Sequence, residues 1–187
     1  MGLDMGLRIK QDALLDFVKE MHEGQMRKYT NEEYWTHPLA VAKIVGKYEP
    51  TGIEMALCHD LFEDTDCDWE MLFDKLLEIG YDQLRCIEIC IGVTELTNIF
   101  RTQNYPELNR KLRKTKEAER LKSISYIAQC VKYADIIHNG STVSHKDKTF
   151  AKLYLEEAIT IVDGMRIGNI NLLAECLYTV KSGLKNL

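Results

Sequence analysis

The segment Ile53-Glu54-Met55-Ala56-Leu57-Cys58-His59-Asp60-Leu61-Phe62-Glu63-Asp64-Thr65 carries the most information in this chain. Its apolar residues are those of a buried helix. His59, Asp60, Glu63 and Asp64 interrupt them and span roughly 140° of such a helix at about 100° per residue. Three carboxylates this close repel one another, and near a helix C-terminus the macrodipole disfavours them further. A bound cation would remove both objections, with the adjacent histidine and aspartate as ligands.

Outward from this turn the chain reads as helix after helix. Ile9, Ala13, Leu14, Phe17, Val18 and Met21 recur with a 3.6 period over Arg8–His22, and Gly24 ends that helix. A polar loop covers Gln25–Thr36, and Pro38 opens a helix through Leu39, Val41, Ala42, Ile44 and Val45. Pro50-Thr51-Gly52 precedes the His59 helix. Asp68 caps a helix that Gly80 stops. Further helical patterns cover Asp82–Leu96, Pro106–Leu121, Ser125–Asn139, Lys148–Met165 and Asn169–Leu184, with a flexible loop expected at Asn98–Tyr105. The expectation is a single all-α domain of eight or nine helices, without repeats or an internal linker.

Composition narrows the function classes. The 187 residues are 45% hydrophobic and 28% charged, as in a soluble globular domain. No apolar run reaches the roughly 18 residues of a membrane span, and Met1–Lys10 lacks the core of a secretory signal. Gly2 is followed by Gly6 where a myristoylation signal needs Ser or Thr. A cytoplasmic protein without a membrane partner is expected. The net charge of −5 speaks against nucleic acid as a partner. Six cysteines without a C-x-x-C pair read as buried, reduced thiols. Homo-oligomerisation is left open.

Candidates to complete a cation site lie far away in sequence. His37 enters the Pro38 helix, where a capping or loop role is the alternative. His22 ends the first helix and suits its dipole. His138 and His145 flank a Gly-Ser turn and are expected to be exposed or partly packed. Asp135 sits in the apolar run Val131–Ile137 and needs a partner, because a bare buried carboxylate is costly. A Lys132–Asp135 pair, with Asn139-Gly140 ending the helix, would be enough.

Taken in order, these words resemble the hydrolase domain of RelA/SpoT homologues, which are HD-domain phosphohydrolases. They are Gly24-Gln25-Met26-Arg27-Lys28-Tyr29, Tyr34-Trp35-Thr36-His37-Pro38, Ala56–Thr65 and Val131-Lys132-Tyr133-Ala134-Asp135 with Asn139. Gly92-Val93-Thr94 and Asn109–Lys114 are weaker matches. The resemblance runs over about 13–165 and implies a single HD-type hydrolase domain, 1–187. It is most similar to the small stand-alone members. Cys58 and Tyr133 stand where leucine is usual, and His138 stands where other small members differ.

The resemblance implies hydrolysis of the 3′-pyrophosphate of an alarmone, (p)ppGpp or (p)ppApp, to a 5′-nucleotide and pyrophosphate. It implies one divalent ion, Mn²⁺ in the family, on His37, His59, Asp60 and Asp135; this mixed N/O set suits first-row ions. Glu63 would be the main acid/base with Asp64 assisting, and reversed roles or two merely solvated carboxylates are the alternatives. Arg27 would stack on the base and Lys28 pair with phosphate. Asn109, Arg113, Lys114, Lys132 and Asn139 are the other expected substrate contacts, and a solvated basic face is the alternative for the 110–116 run. The competing functions are a phosphohydrolase acting on NADPH, a nucleoside monophosphate or a cyclic nucleotide, and a non-catalytic nucleotide sensor.

Overall fold

The computed structural model describes residues 5–28, 30–143 and 148–187, so Gly2, Tyr29 and His145 lie outside the described residues. All regular structure among them is helical: α1 (Met5–Met21), α2 (Thr36–Gly46), α3 (Ile53–Cys58), α4 (Leu61–Asp64), α5 (Trp69–Ile79), α6 (Gln83–Leu96), α7 (Arg110–Leu121), α8 (Tyr126–Val143), α9 (Lys148–Gly164) and α10 (Ile170–Lys185). A 3₁₀ turn at Pro50–Gly52 leads into α3. The nine helical stretches expected from periodicity are all present. The third is split at His59-Asp60 into α3 and α4, because Asp60 starts a new turn whose carbonyl accepts from Glu63 and Asp64 N–H.

Local chemistry sets the boundaries. Asp68, Asp82, Asn109 and Asn169 each accept backbone N–H bonds at the start of the following helix. Gly80, at φ 99°, closes α5 with paired bonds from Gly80 N–H to Leu77 and from Tyr81 N–H to Leu76. Two boundaries differ from expectation. α7 starts at Arg110 and not at Pro106, where the Asn109 cap fixes its first turn. α8 continues past Asn139-Gly140 to Val143: the Asn139 amide is engaged by Asp135, and Gly140 is buried beside Leu155 and Thr179.

α8 is central. Eleven of its 18 residues are buried on nearly every side, as for a helix enclosed by others. α2, α3, α6, α9 and α10 pack around it. One hydrophobic core runs from Leu14 of α1 to Val180 of α10. The six cysteines are free and buried, as expected. No described helix is long and apolar enough to cross a membrane. The 22–35 loop is folded back by an antiparallel bridge between Met26 and Glu33, with Asn31 at its tip in the left-handed region (φ 60°). That fold turns Arg27, Lys28 and Tyr34 toward α8 and the α3–α4 junction.

Candidate metal centre

Three elements bring the polar groups together. His37 lies in the first turn of α2, His59-Asp60 form the α3–α4 junction, and Asp135 sits midway along α8. His37 Nε2 is 3.4 Å from Asp60 Oδ2 and 3.2 Å from Asp135 Oδ1. His59 Nε2 is 3.2 Å from Asp60 Oδ2 and 4.0 Å from Asp135 Oδ1. His37, His59 and Asp60 form the tightest cluster, with donor atoms within 4.8 Å of one another. Asp135 closes it on the α8 side.

The donors fit a cation. His59 Nδ1 is 2.8 Å from the Ala56 carbonyl, a bond that puts a proton on Nδ1, so that in the neutral ring the lone pair lies on Nε2. Nε2 is buried and has no hydrogen bond of its own. An unpartnered buried nitrogen facing two carboxylates and a second imidazole suits a first-row divalent ion, which would replace any proton on it. Burial disfavours charge on His59, but Asp60 and Asp135 outweigh it and push the imidazole up to about 9. Burial likewise opposes ionisation of Asp60 and Asp135. His59 and His37 nevertheless hold Asp60 low, and Lys132 with His37 holds Asp135 low. Two ionised carboxylates are thus held between imidazole and ammonium partners, and a cation on the site would take the place of the His59 proton.

Asp135 also has the partners that a merely structural role would supply. Lys132 Nζ donates to Oδ2 at 2.8 Å and Asn139 Nδ2 donates to Oδ1 at 2.6 Å. The ion-pair reading and the ligand reading of Asp135 are compatible, because those bonds fix the carboxylate that faces His37. His22, expected to serve the dipole at the end of the first helix, is buried there, stacked on Tyr34 at 4.7 Å and bonded to Gln25.

Above the cluster opens a cavity of about 330 Å³. Glu63 and Asp64 line it. So do Arg27, Lys28, Lys114, Lys132 and Asn139. Burial raises the Glu63 carboxyl, although the Asn98 N–H donates to its Oε2 at 3.0 Å. Burial lowers Lys114, with Lys132 adding repulsion. Two expected substrate contacts are elsewhere. Asn109 spends its side-chain oxygen on the Leu112 N–H as the α7 cap. Arg113 donates to the Leu108 carbonyl and lines a neighbouring cavity of about 460 Å³ with Arg101 and Arg110.

Three further residues belong to the site. The Tyr34 hydroxyl lies 2.9 Å from Asp60 Oδ2 and 2.8 Å from Asp64 Oδ2, and so joins the two carboxylates. Arg101 donates to the Glu63 carbonyl at 2.5 Å and lies 4.0 Å from the Glu63 and Asp64 carboxylates. His138 is half-buried beside His37, with its Nδ1 2.7 Å from His37 Nδ1. Burial, His37 and Arg27 push His138 down to about 4. Tyr34 carried a signal in the Tyr-x-x-His-Pro word; Arg101 carried none.

No family model matches the chain, and no curated protein does. Among solved structures, one described as a metazoan ortholog of SpoT that hydrolyzes ppGpp and plays a role in starvation responses superposes with a TM-score of 0.77. The match covers 98% of this chain and 99% of that one at 23% identity. The two proteins share their fold over nearly their whole lengths.

Proposed function

We propose that the chain is an HD-type metal-dependent hydrolase, one domain over 1–187, of the kind that the RelA/SpoT homologues represent. It removes the 3′-pyrophosphate of an alarmone nucleotide, (p)ppGpp or (p)ppApp, and releases a 5′-nucleotide and pyrophosphate in the cytoplasm. The carrying observation is the convergence of His37, His59, Asp60 and Asp135, from three separate elements, beneath a cavity that holds two more carboxylates and several cations. The shared fold with a protein described as hydrolyzing ppGpp supports the same substrate class.

The residues divide the work. His37, His59, Asp60 and Asp135 would hold one divalent ion, which we take to be Mn²⁺. Such an ion supplies Lewis acidity and lowers the pKa of a coordinated water from about 15.7 to near 7. Glu63, its pKa raised by burial, takes the proton from the attacking water and passes it to the leaving group. Asp64 assists and is held by the Tyr34 hydroxyl. Lys114, Lys132 and Lys28 offset the phosphate charge, and Arg27 with Asn139 faces base and ribose.

A nucleotide panel tests this reading. Mn²⁺-loaded protein is incubated with ppGpp, ppApp, NADPH, a nucleoside monophosphate and a cyclic nucleotide, and products are separated. Pyrophosphate released from ppGpp or ppApp is the expected result. Orthophosphate from NADPH or from a monophosphate would move the reaction to another substrate. Nucleotide binding without turnover in any metal would make the chain a sensor.

A further inference from the structure

The space over the ion site does not end at Glu63. A second cavity of about 460 Å³ adjoins the first, and Glu63, Asn98 and Lys114 stand in the walls of both. Arg101, Arg110 and Arg113 bring three more cations to the second cavity, against the single carboxylate of Glu63. Arg110 is committed to Glu157, with two bonds of 2.9 Å that tie α7 to α9. Arg113 and Lys114 differ. Both are half-buried, and among the described residues the ion pairs within α7 belong to Arg110 and Arg120 alone. Arg113 gives one donor to the Leu108 carbonyl, which leaves the rest of its guanidinium fork. Burial and the charge of Lys132 push Lys114 down, and Arg110 adds to this. Two adjacent, half-buried cations without a counter-charge are costly to hold unless an anion comes to them.

We infer that the second cavity seats the distal phosphate of the 3′-diphosphate on Arg113 and Lys114, and that this seat makes pyrophosphate, not orthophosphate, the product. The inference deepens the hydrolase reading above and rests on it. Two phosphate arms leave the ribose of such a nucleotide. In that reading Glu63 takes the proton of the water that attacks the ribose-bound phosphorus, so this phosphorus lies at the wall that the two cavities share. The distal phosphorus is one bridging oxygen further on. The 5′ arm starts from the other side of the ribose, which Arg27 and Asn139 face, and both of these residues line the first cavity only.

A 3′-diphosphate offers two phosphorus atoms to water. Attack on the first forms its bond to the water oxygen, breaks its bond to O3′ and releases pyrophosphate, and the water proton ends on O3′. Attack on the second breaks the bridge between the phosphates and leaves a 3′-monophosphate with free orthophosphate. The outcome depends on which phosphorus lies over His37, His59, Asp60 and Asp135. Cations beyond Glu63 draw the distal phosphate away from those four residues and leave the first phosphorus above them. Arg113 supplies a planar fork for two phosphate oxygens, and Lys114 a point charge on the shared wall. Arg101 lies 4.0 Å from the Glu63 and Asp64 carboxylates and offsets their repulsion of the arriving phosphate. Arg113 is thus the residue that separates 3′-diphosphates from 3′-monophosphates.

Steady-state kinetics of the Mn²⁺-loaded chain tests the seat with guanosine nucleotides that carry a 5′-mono- or diphosphate and a 3′-mono- or diphosphate. The readout is kcat/KM, or Ki for a form that is not turned over. Arg113→Gln is expected to weaken both 3′-diphosphates by about 10- to 100-fold and to leave both 3′-monophosphates within about threefold. Arg113→Lys keeps the charge without the fork and should show a smaller loss on the same two nucleotides. Lys111→Gln removes a charge from α7 outside this cavity and should change none of them by more than about twofold. Equal losses on 3′-diphosphates and 3′-monophosphates overturn the inference, and so does a loss that follows the length of the 5′ arm. Calorimetry with inorganic pyrophosphate and metal-free protein reads the seat without turnover. Arg113→Gln should weaken that binding by about 10-fold, and unchanged binding overturns the inference. Pyrophosphate binding that depends on Arg113, in a parent protein that turns over no nucleotide, would instead overturn the hydrolase reading and leave an anion site.

Discussion

At the scale of single residues, the site is a set of charges whose burial demands an explanation. Glu63 has its pKa raised by burial, and it must be ionised to accept a proton. The active fraction therefore grows as pH rises through the raised pKa and falls below it. With saturating Mn²⁺, the acid limb of kcat/KM is expected to have its midpoint above the ordinary glutamate value of 4.5. Glu63→Gln should lower kcat by about 10²- to 10⁴-fold and remove that limb. Tyr34→Phe deletes the hydroxyl between Asp60 and Asp64 and should lower kcat/KM by about 10- to 100-fold, with the protein still folded by circular dichroism. His59 and Asp60 were legible in the sequence because polar groups in an apolar helical run require a partner. His138 was not, since a histidine beside a Gly-Ser pair looks like a turn residue until the helix is seen to continue. The Asn98 contribution is a backbone N–H, which no residue identity reveals.

At the scale of elements, the period of apolar residues made all nine helical stretches legible, and caps fixed most of their ends. The misread ends are those where a side chain had two plausible employers. Asn109 fits both a substrate contact and a helix cap, and its Oδ1 accepts from the Leu112 N–H as the cap. Asn109→Ala is therefore expected to cost about 1 kcal/mol of stability while leaving KM unchanged, measured by denaturant unfolding beside steady-state kinetics. A raised KM at unchanged stability would return Asn109 to the substrate. Asn139-Gly140 was read as a stop, yet Asn139 bonds to Asp135 and Gly140 packs against neighbouring helices, so α8 keeps its ladder through both. The break between α3 and α4 was not legible from periodicity, because a helix that restarts at Asp60 keeps the same apolar face inward.

At the scale of the whole molecule, α8 carries Lys132, Asp135, His138 and Asn139 through the middle of the core, and α2 and α3 bring the imidazoles to it. Residues about 100 positions apart are thus joined at one point, and an ion bound there ties α2, α3 and α8 together. Since it binds the folded chain alone, Mn²⁺ at 100 times its Kd should add about 2.7 kcal/mol of stability. For a domain of this size that is a rise in Tm of roughly 5–10 °C, reversed by a chelator. Asp135→Ala should abolish the rise. Anomalous diffraction from crystals soaked in Mn²⁺ reads the central claim most directly. The expected result is one peak bonded jointly by His37 Nε2, His59 Nε2, Asp60 and Asp135. A map without a peak there, or with an ion held by surface carboxylates and out of reach of Asp135, would contradict it.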